Sequence, residues 1–341
     1  MKDVKNKNYV KEVKVTPEEY KENHIIAFYA KRKIYFGISI AIMVIGIIMA
    51  FINGIQLDIQ FKGGAMLKYT YVGEMDTNIV EDITTEIMNR PASIQLNEDI
   101  ATGEDKLVIT LAGNYGVDPA DQDKLDTKLK EAFPDSQLKQ SETTIVEPFF
   151  GKKFLRQGIL AIALSGLLVL CYVWIRFKIM GGLSAGVMAL IALLHDCFVV
   201  FFTCIIFNIP IGESFVAVVL SIIGYSINDT IVIYDRIREN AKTYLGYPVE
   251  VIADLSITQS MTRSIVTNVC VMISVSLVYI LAFANNINSI QSFALPMAVG
   301  SISGCYSTIC IAGPLWVMWK KKKGDTLLFE EKKPTPTYSY K

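Results

Sequence analysis

Histidine is nearly absent from this chain: two residues among 341. A metal centre needs a cluster of His, Cys, Asp or Glu at ligand spacing, and the pair His195–Asp196 has no second cluster to complete one. The sequence also lacks a phosphate-cradling glycine loop and a nucleophile–base constellation. The chain carries no visible nucleotide engine, so no enzymatic activity and no cofactor are expected. There is no excess charge of either sign: 33 Lys and Arg balance 33 Asp and Glu. A general basic surface for nucleic acid is thereby excluded. Cysteine is absent from the polar stretch 57–148, and all six cysteines (171, 197, 204, 270, 305 and 310) lie in apolar runs. No disulfide framework is expected, and the thiols read as small packing residues.

What is present is segregated hydrophobicity. Apolar residues make up 52% of the chain, and the mean hydropathy is +0.37. Six nearly uncharged runs stand out, at 34–52, 155–175, 182–207, 213–235, 261–284 and 293–318. Each is about 20 residues or longer, enough to cross about 30 Å of hydrocarbon at about 1.5 Å per residue. This predicts a polytopic α-helical membrane protein with six transmembrane helices. The first run is too long for a signal-peptide core and reads as an uncleaved span.

Lys and Arg near the span ends set the orientation. Lys31, Arg32 and Lys33 precede the first span. Arg176 and Lys178 follow the second, Arg236, Arg238 and Lys242 the fourth, and Lys320 to Lys323 the sixth. These fall on one side if both termini are cytoplasmic in a cell membrane. Lys152, Lys153 and Arg156 fall on the other side, but they follow a long domain, where the charge rule is weak.

The expected domains are an N-terminal tail (1–33), a first transmembrane helix (34–53), an extracytoplasmic domain (54–150), a five-helix bundle (151–318) and a C-terminal tail (319–341). The stretch 57–148 is polar and acidic, with 18 Asp and Glu against 8 Lys and Arg. Strand-like runs occur at 64–72, 93–97, 106–112 and 142–147, and helix-like runs at 77–89 and 119–133. Leu125, Leu129 and Phe133 share one face, and Pro119 suits a first helical turn. The order β-α-β-β-α-β is that of an α+β ferredoxin-like domain. That plan by itself assigns no function.

Within the apolar runs, ionisable residues are functional candidates because their burial is costly. The third span holds His195 and Asp196, the fourth Asn228 and Asp229, and Arg263 lies near the start of the fifth. Asp229 lies about 9 Å from the membrane edge and Arg263 roughly 3–6 Å above the same edge, at about 1.5 Å per residue. Asp229 shares a helix face with Tyr225 and Ser226, and Arg263 with Gln259 and Thr267. Two readings stay open. One is a static pair that fixes helix packing. The other is a switchable charge, since a carboxylate away from bulk water holds its proton more tightly and an approaching guanidinium loosens it. Gly300, Ser301, Ser303, Gly304 and Ser307 read as close helix packing. Asp235, Arg236, Arg238, Glu239 and Asn240 read as interfacial.

Five stretches resemble one family. GYSINDTIVIYDRIREN (224–240), YVWIRFK (172–178), LLHD (193–196), QSMTRSIVTN (259–268) and YSTICIAGPL (306–315) are similar, in order and spacing, to the SecF family. SecF is the smaller half of the SecD–SecF accessory to the Sec protein translocase and belongs with the resistance-nodulation-division superfamily. The resemblance covers about 34–318. It implies pairing with SecD, association with the SecYEG channel and a YajC-type accessory, contact with emerging preprotein and membrane lipid, and coupling to a proton or sodium gradient. It places the family's key membrane Asp on Asp229 and its key Arg on Arg263. His195 and Asp196 are weaker candidates for the ion path, and Asn228 is a polar neighbour. The chain departs from the family at 57–64, where Gln60 and Lys62 stand in place of an Asp and a small polar residue. Two alternatives are a small-molecule or lipid exporter half of the same superfamily and a structural assembly factor of the translocase.

Overall fold

The computed structural model describes residues 24–58, 61, 64–98, 105–112, 117–146, 148–285, 287–325 and 327. Both terminal tips, Gln60 and Lys62 lie outside the described residues.

Six helical segments are long and apolar enough to cross a membrane. Helix α1 spans Arg32–Asn53. After the extramembrane domain come α4 (Pro148–Arg176), α5 (Gly182–Ile206), α6 (Glu213–Thr243) and α7 (Val249–Ala284). The last segment is α8 (Asn288–Ser307), a π-helical turn over Thr308–Ala312, and α9 (Gly313–Lys322). The π turn has a local cause. Pro314 has no N–H, and its ring crowds the carbonyl four residues back, so a wider turn relieves the conflict.

Between α1 and α4 lies a four-stranded antiparallel sheet with two helices. The order is β1 (Gly64–Tyr71), α2 (Thr77–Met88), β2 (Ala92–Glu98), β3 (Asp105–Ala112), α3 (Pro119–Ala132) and β4 (Lys139–Val146). The sheet order is β2-β3-β1-β4, with β1 central and Leu67 opposite Ile109. Alternate β1 residues Ala65, Leu67, Tyr69 and Tyr71 are buried, as the period of a strand requires. They meet Val80 of α2 and Leu125 and Leu129 of α3 in one core, with Phe133 at its margin. Asp76 and Asp118 cap the two helices by accepting from Asn78 N (2.9 Å) and Ala120 N (3.1 Å).

In the bundle α5 and the last helix are central: 56% and 61% of their apolar windows are buried, against 11% for α1, α4 and α7. The outer helices present rows of exposed Ile, Leu and Val, as lipid-facing helices do. At one end Phe177, Tyr234 and Trp316 are fully buried together.

Some helix ends differ from the hydropathy boundaries. Helix α7 begins at Val249 rather than 261, because its first turns are amphipathic and have their own partners. Phe28 is buried, Tyr29 N donates to Asp254 (2.9 Å), and Ile26 N donates to Thr258 (3.0 Å). Lys321 pairs with Glu250 at 2.7 Å, which extends the last helix beyond 318.

Candidate functional site

Two carboxylates meet hydroxyl groups between the helices. Asp196 on α5 is completely buried. It accepts hydrogen bonds from Ser226 of α6 (2.9 Å) and from Ser303 and Ser307 of α8 (2.7 Å each). His195 Nδ1 stands 3.3 Å from its Oδ1. Ser303 and Ser307 are one helical turn apart and so reach the same carboxylate. Gly304 makes this possible: a Cβ there would stand 3.2 Å from Ser226 Cβ, tighter than ordinary contact.

The hydroxyl column continues toward the π turn. Thr230 and Thr308 hydroxyls are 3.0 Å apart, and both donate to the Ser226 carbonyl, at 3.1 and 3.4 Å. Three helices are thereby joined by short polar contacts.

Asp229, half-buried on α6, accepts a hydrogen bond from Ser264 of α7. Arg263, the residue before Ser264, is exposed. Among the described residues no ion pair joins it to Asp229. Ser264 is therefore the direct contact, in place of the direct Asp229–Arg263 pair that depth suggested. The two neighbours diverge by about 100° around the helix axis, so Ser264 faces α6 while Arg263 faces outward. Arg263 also lies well inside α7 rather than near its start, since that helix begins at Val249.

The other candidates divide among these networks. Ser226 serves Asp196 rather than Asp229. Tyr225 accepts from Asn268 (3.3 Å), which also donates to the Ser301 carbonyl at 2.5 Å. Gln259 accepts from Arg236 (2.6 Å) and Asn240 (2.9 Å). Asn228 and Thr267 are exposed at the same level. Asn240 is buried and donates to Ser256 (2.8 Å). Asp235 forms the edge cluster, with Arg176 at 3.0 Å and Arg238 at 2.9 Å.

Ser264, Asn268, Ser303, Ser307, Thr230 and Thr308 were not read from sequence as site residues. Their signal was present as polar residues four apart, 264 with 268 and 303 with 307, within apolar runs. Small size made the serines of the last span indistinguishable from packing residues. Helix α6 links both carboxylates: Ser226 and Asp229 sit three residues apart, adjacent on its surface. A shift of α6 would alter both sites together.

Comparison with known proteins agrees with this architecture. Residues 124–322 match the family described as "Protein export membrane protein SecD/SecF, C-terminal". The chain is 30% identical over 315 residues to the protein translocase subunit SecF of Petrotoga mobilis, covering 88% of this chain and 98% of that one. It is 32% identical over 326 residues to the protein translocase subunit SecDF of Bacillus subtilis, covering 93% of this chain but 42% of the longer relative. The crystal structure of SecDF from Thermus thermophilus, a translocon-associated membrane protein, superposes with a TM-score of 0.72 at 23% identity. That match covers 87% of this chain and 39% of that structure, and it supports the multi-pass membrane fold. The chain belongs to the SecD/SecF family of protein export membrane proteins, on its SecF side.

Proposed function

We propose that this chain is a non-enzymatic, ion-coupled SecF-type subunit of the Sec translocase, with both termini cytoplasmic. It pairs with a SecD-type half and acts with a SecYEG-type channel and a YajC-type accessory to promote the late stage of preprotein export. A proton or sodium gradient supplies the work. The observation that carries the reading is the placement of Asp229 on α6, bonded to Ser264 of α7, the residue next to Arg263. A carboxylate at this depth can change charge only if its neighbours rearrange, because unpaired charge is costly there. Gain or loss of an ion at Asp229 then shifts α6 against α7. Through Ser226 the shift reaches Asp196, with His195 beside it.

The β-α-β-β-α-β order and the sheet order β2-β3-β1-β4 support a ferredoxin-like extracytoplasmic domain, placed to follow such movement. Arg263, Asn228 and Thr267 are exposed at membrane depth on the α6–α7 side. Polar groups facing lipid are costly, so this is the side assigned to the SecD-type half.

The test is Asp229→Asn in cells dependent on this chain. The variant is expected to insert and assemble with its partner, and to lose gradient-dependent stimulation of export. Normal stimulation in an assembled Asp229→Asn complex would reject the coupling role and leave an assembly factor.

A further inference from the structure

Away from the carboxylates, a cavity of about 460 Å³ opens where α4, α5 and α9 end together. It lies on the side where Arg176, Arg236 and Arg238 mark the membrane boundary. Its rim carries Lys178, Lys320 and Lys323, and its one acidic lining residue is Asp325. Trp174 and Trp319 flank it, half exposed, as indoles do at the headgroup level. Leu183 and Val187 continue its wall along the apolar surface of α5.

The electrostatics of this cavity are unbalanced. Helix α5 begins here without a side-chain cap and without an acidic residue in its first turn. Its positive end is therefore uncompensated by its own sequence. Lys320, only 13% exposed, is packed against that end: a Cβ on Gly181 would lie 3.2 Å from its ammonium nitrogen. Gly181 has φ +77, where glycine is favoured, so the close approach and the backbone conformation call for the same residue. Lys320 reaches Asp325 at 3.1 Å, and Lys323 lies 5.3 Å from the Trp319 ring centroid. Three lysines and a helix N-terminus thus line one cavity with a single, half-exposed carboxylate.

We infer that this cavity binds the phosphate of an anionic phospholipid headgroup, whose acyl chains lie along Leu183 and Val187. Cationic rim, interfacial indoles and apolar wall each match one part of such a lipid. A free phosphate ion matches only the rim. The inference needs only that the chain spans a membrane, and it stands apart from the coupling role of Asp229.

The test uses the full chain in detergent with phosphatidylglycerol or phosphatidylcholine, read by native mass spectrometry. Wild type is expected to retain phosphatidylglycerol in preference to phosphatidylcholine. Lys320→Gln/Lys323→Gln is expected to bind it about thirtyfold more weakly, from the contribution of each lysine near an anionic membrane surface. Lys31→Gln/Lys242→Gln, with the same charge change at exposed sites outside the cavity, is expected to match wild type. Equal loss in both double variants would reduce the effect to general charge and overturn the site. Displacement of the lipid by millimolar inorganic phosphate would overturn the assignment to a lipid. A second measurement needs no variant. In vesicles at equal mole fraction, brominated phosphatidylglycerol is expected to quench tryptophan fluorescence more than brominated phosphatidylcholine. Equal quenching would also reject the proposal.

Discussion

Asp196 shows how a single residue can hold three helices at a defined spacing. Its carboxylate takes hydroxyl donors from α6 and α8. Removing one partner of a buried hydrogen bond costs about 1–3 kcal/mol, so Ser307→Ala is expected to destabilise the bundle by that amount. Ser221, exposed and bonded only to its own helix carbonyl, provides the comparison: Ser221→Ala should change stability by about 0.5 kcal/mol or less. Reversible unfolding in mixed micelles measures both. In the extramembrane domain, burial and the nearby Asp126 charge push the Tyr69 phenol well above its usual range. The phenol therefore favours the fold in its neutral form. That contribution is complete below the unfolded value of about 10 and is lost as pH rises above it. Protease resistance of the domain in the full chain should fall above about pH 10, and Tyr69→Phe should flatten that fall.

Among the elements, α6 and α8 set the geometry of the site through Gly304. A valine there adds branched carbon where a bare Cβ already stands 3.2 Å from Ser226. Gly304→Val is expected to push α6 away from α8 and separate Ser226 from Asp196, lowering both thermal stability and export stimulation. Retention of wild-type melting and export by this variant would show that the α6–α8 spacing is not critical. In the small domain, Leu125 and Leu129 of α3 are fully buried against the sheet. Either leucine changed to alanine should cost about 2–5 kcal/mol, seen as faster proteolysis between α1 and α4.

For the whole molecule, polar and apolar exposed groups are distributed unevenly around the bundle. Helix α1 exposes only apolar residues through its middle, including Ile48. The α6–α7 side exposes Asn228, Arg263 and Thr267 at membrane depth. Cysteines introduced at 228 or 267, in a background without the native thiols, are expected to crosslink to the SecD-type half. A cysteine at 48 is expected not to. Crosslinking from 48 alone would place the partner against α1 instead.

Six spans, the polar domain after the first, and the placement of Asp229 within a span were all legible along the chain. They depend on local properties: uninterrupted apolar length, a period of two or near four, and a charge within an apolar run. Direction around a helix axis is not such a property. Depth put Asp229 and Arg263 at similar heights, yet the fold turned Ser264 inward and Arg263 outward. The serines of α8 looked like spacers until α5 brought Asp196 against them. The lysines after the last span read as an orientation signal. Only the packing of α9 against the start of α5 placed Lys320 on a helix N-terminus. The sequence alone determined which segments enter the membrane, because hydrophobic transfer acts on each segment by itself. Which polar groups meet inside it was decided by the tertiary structure, because those contacts join residues far apart in the chain.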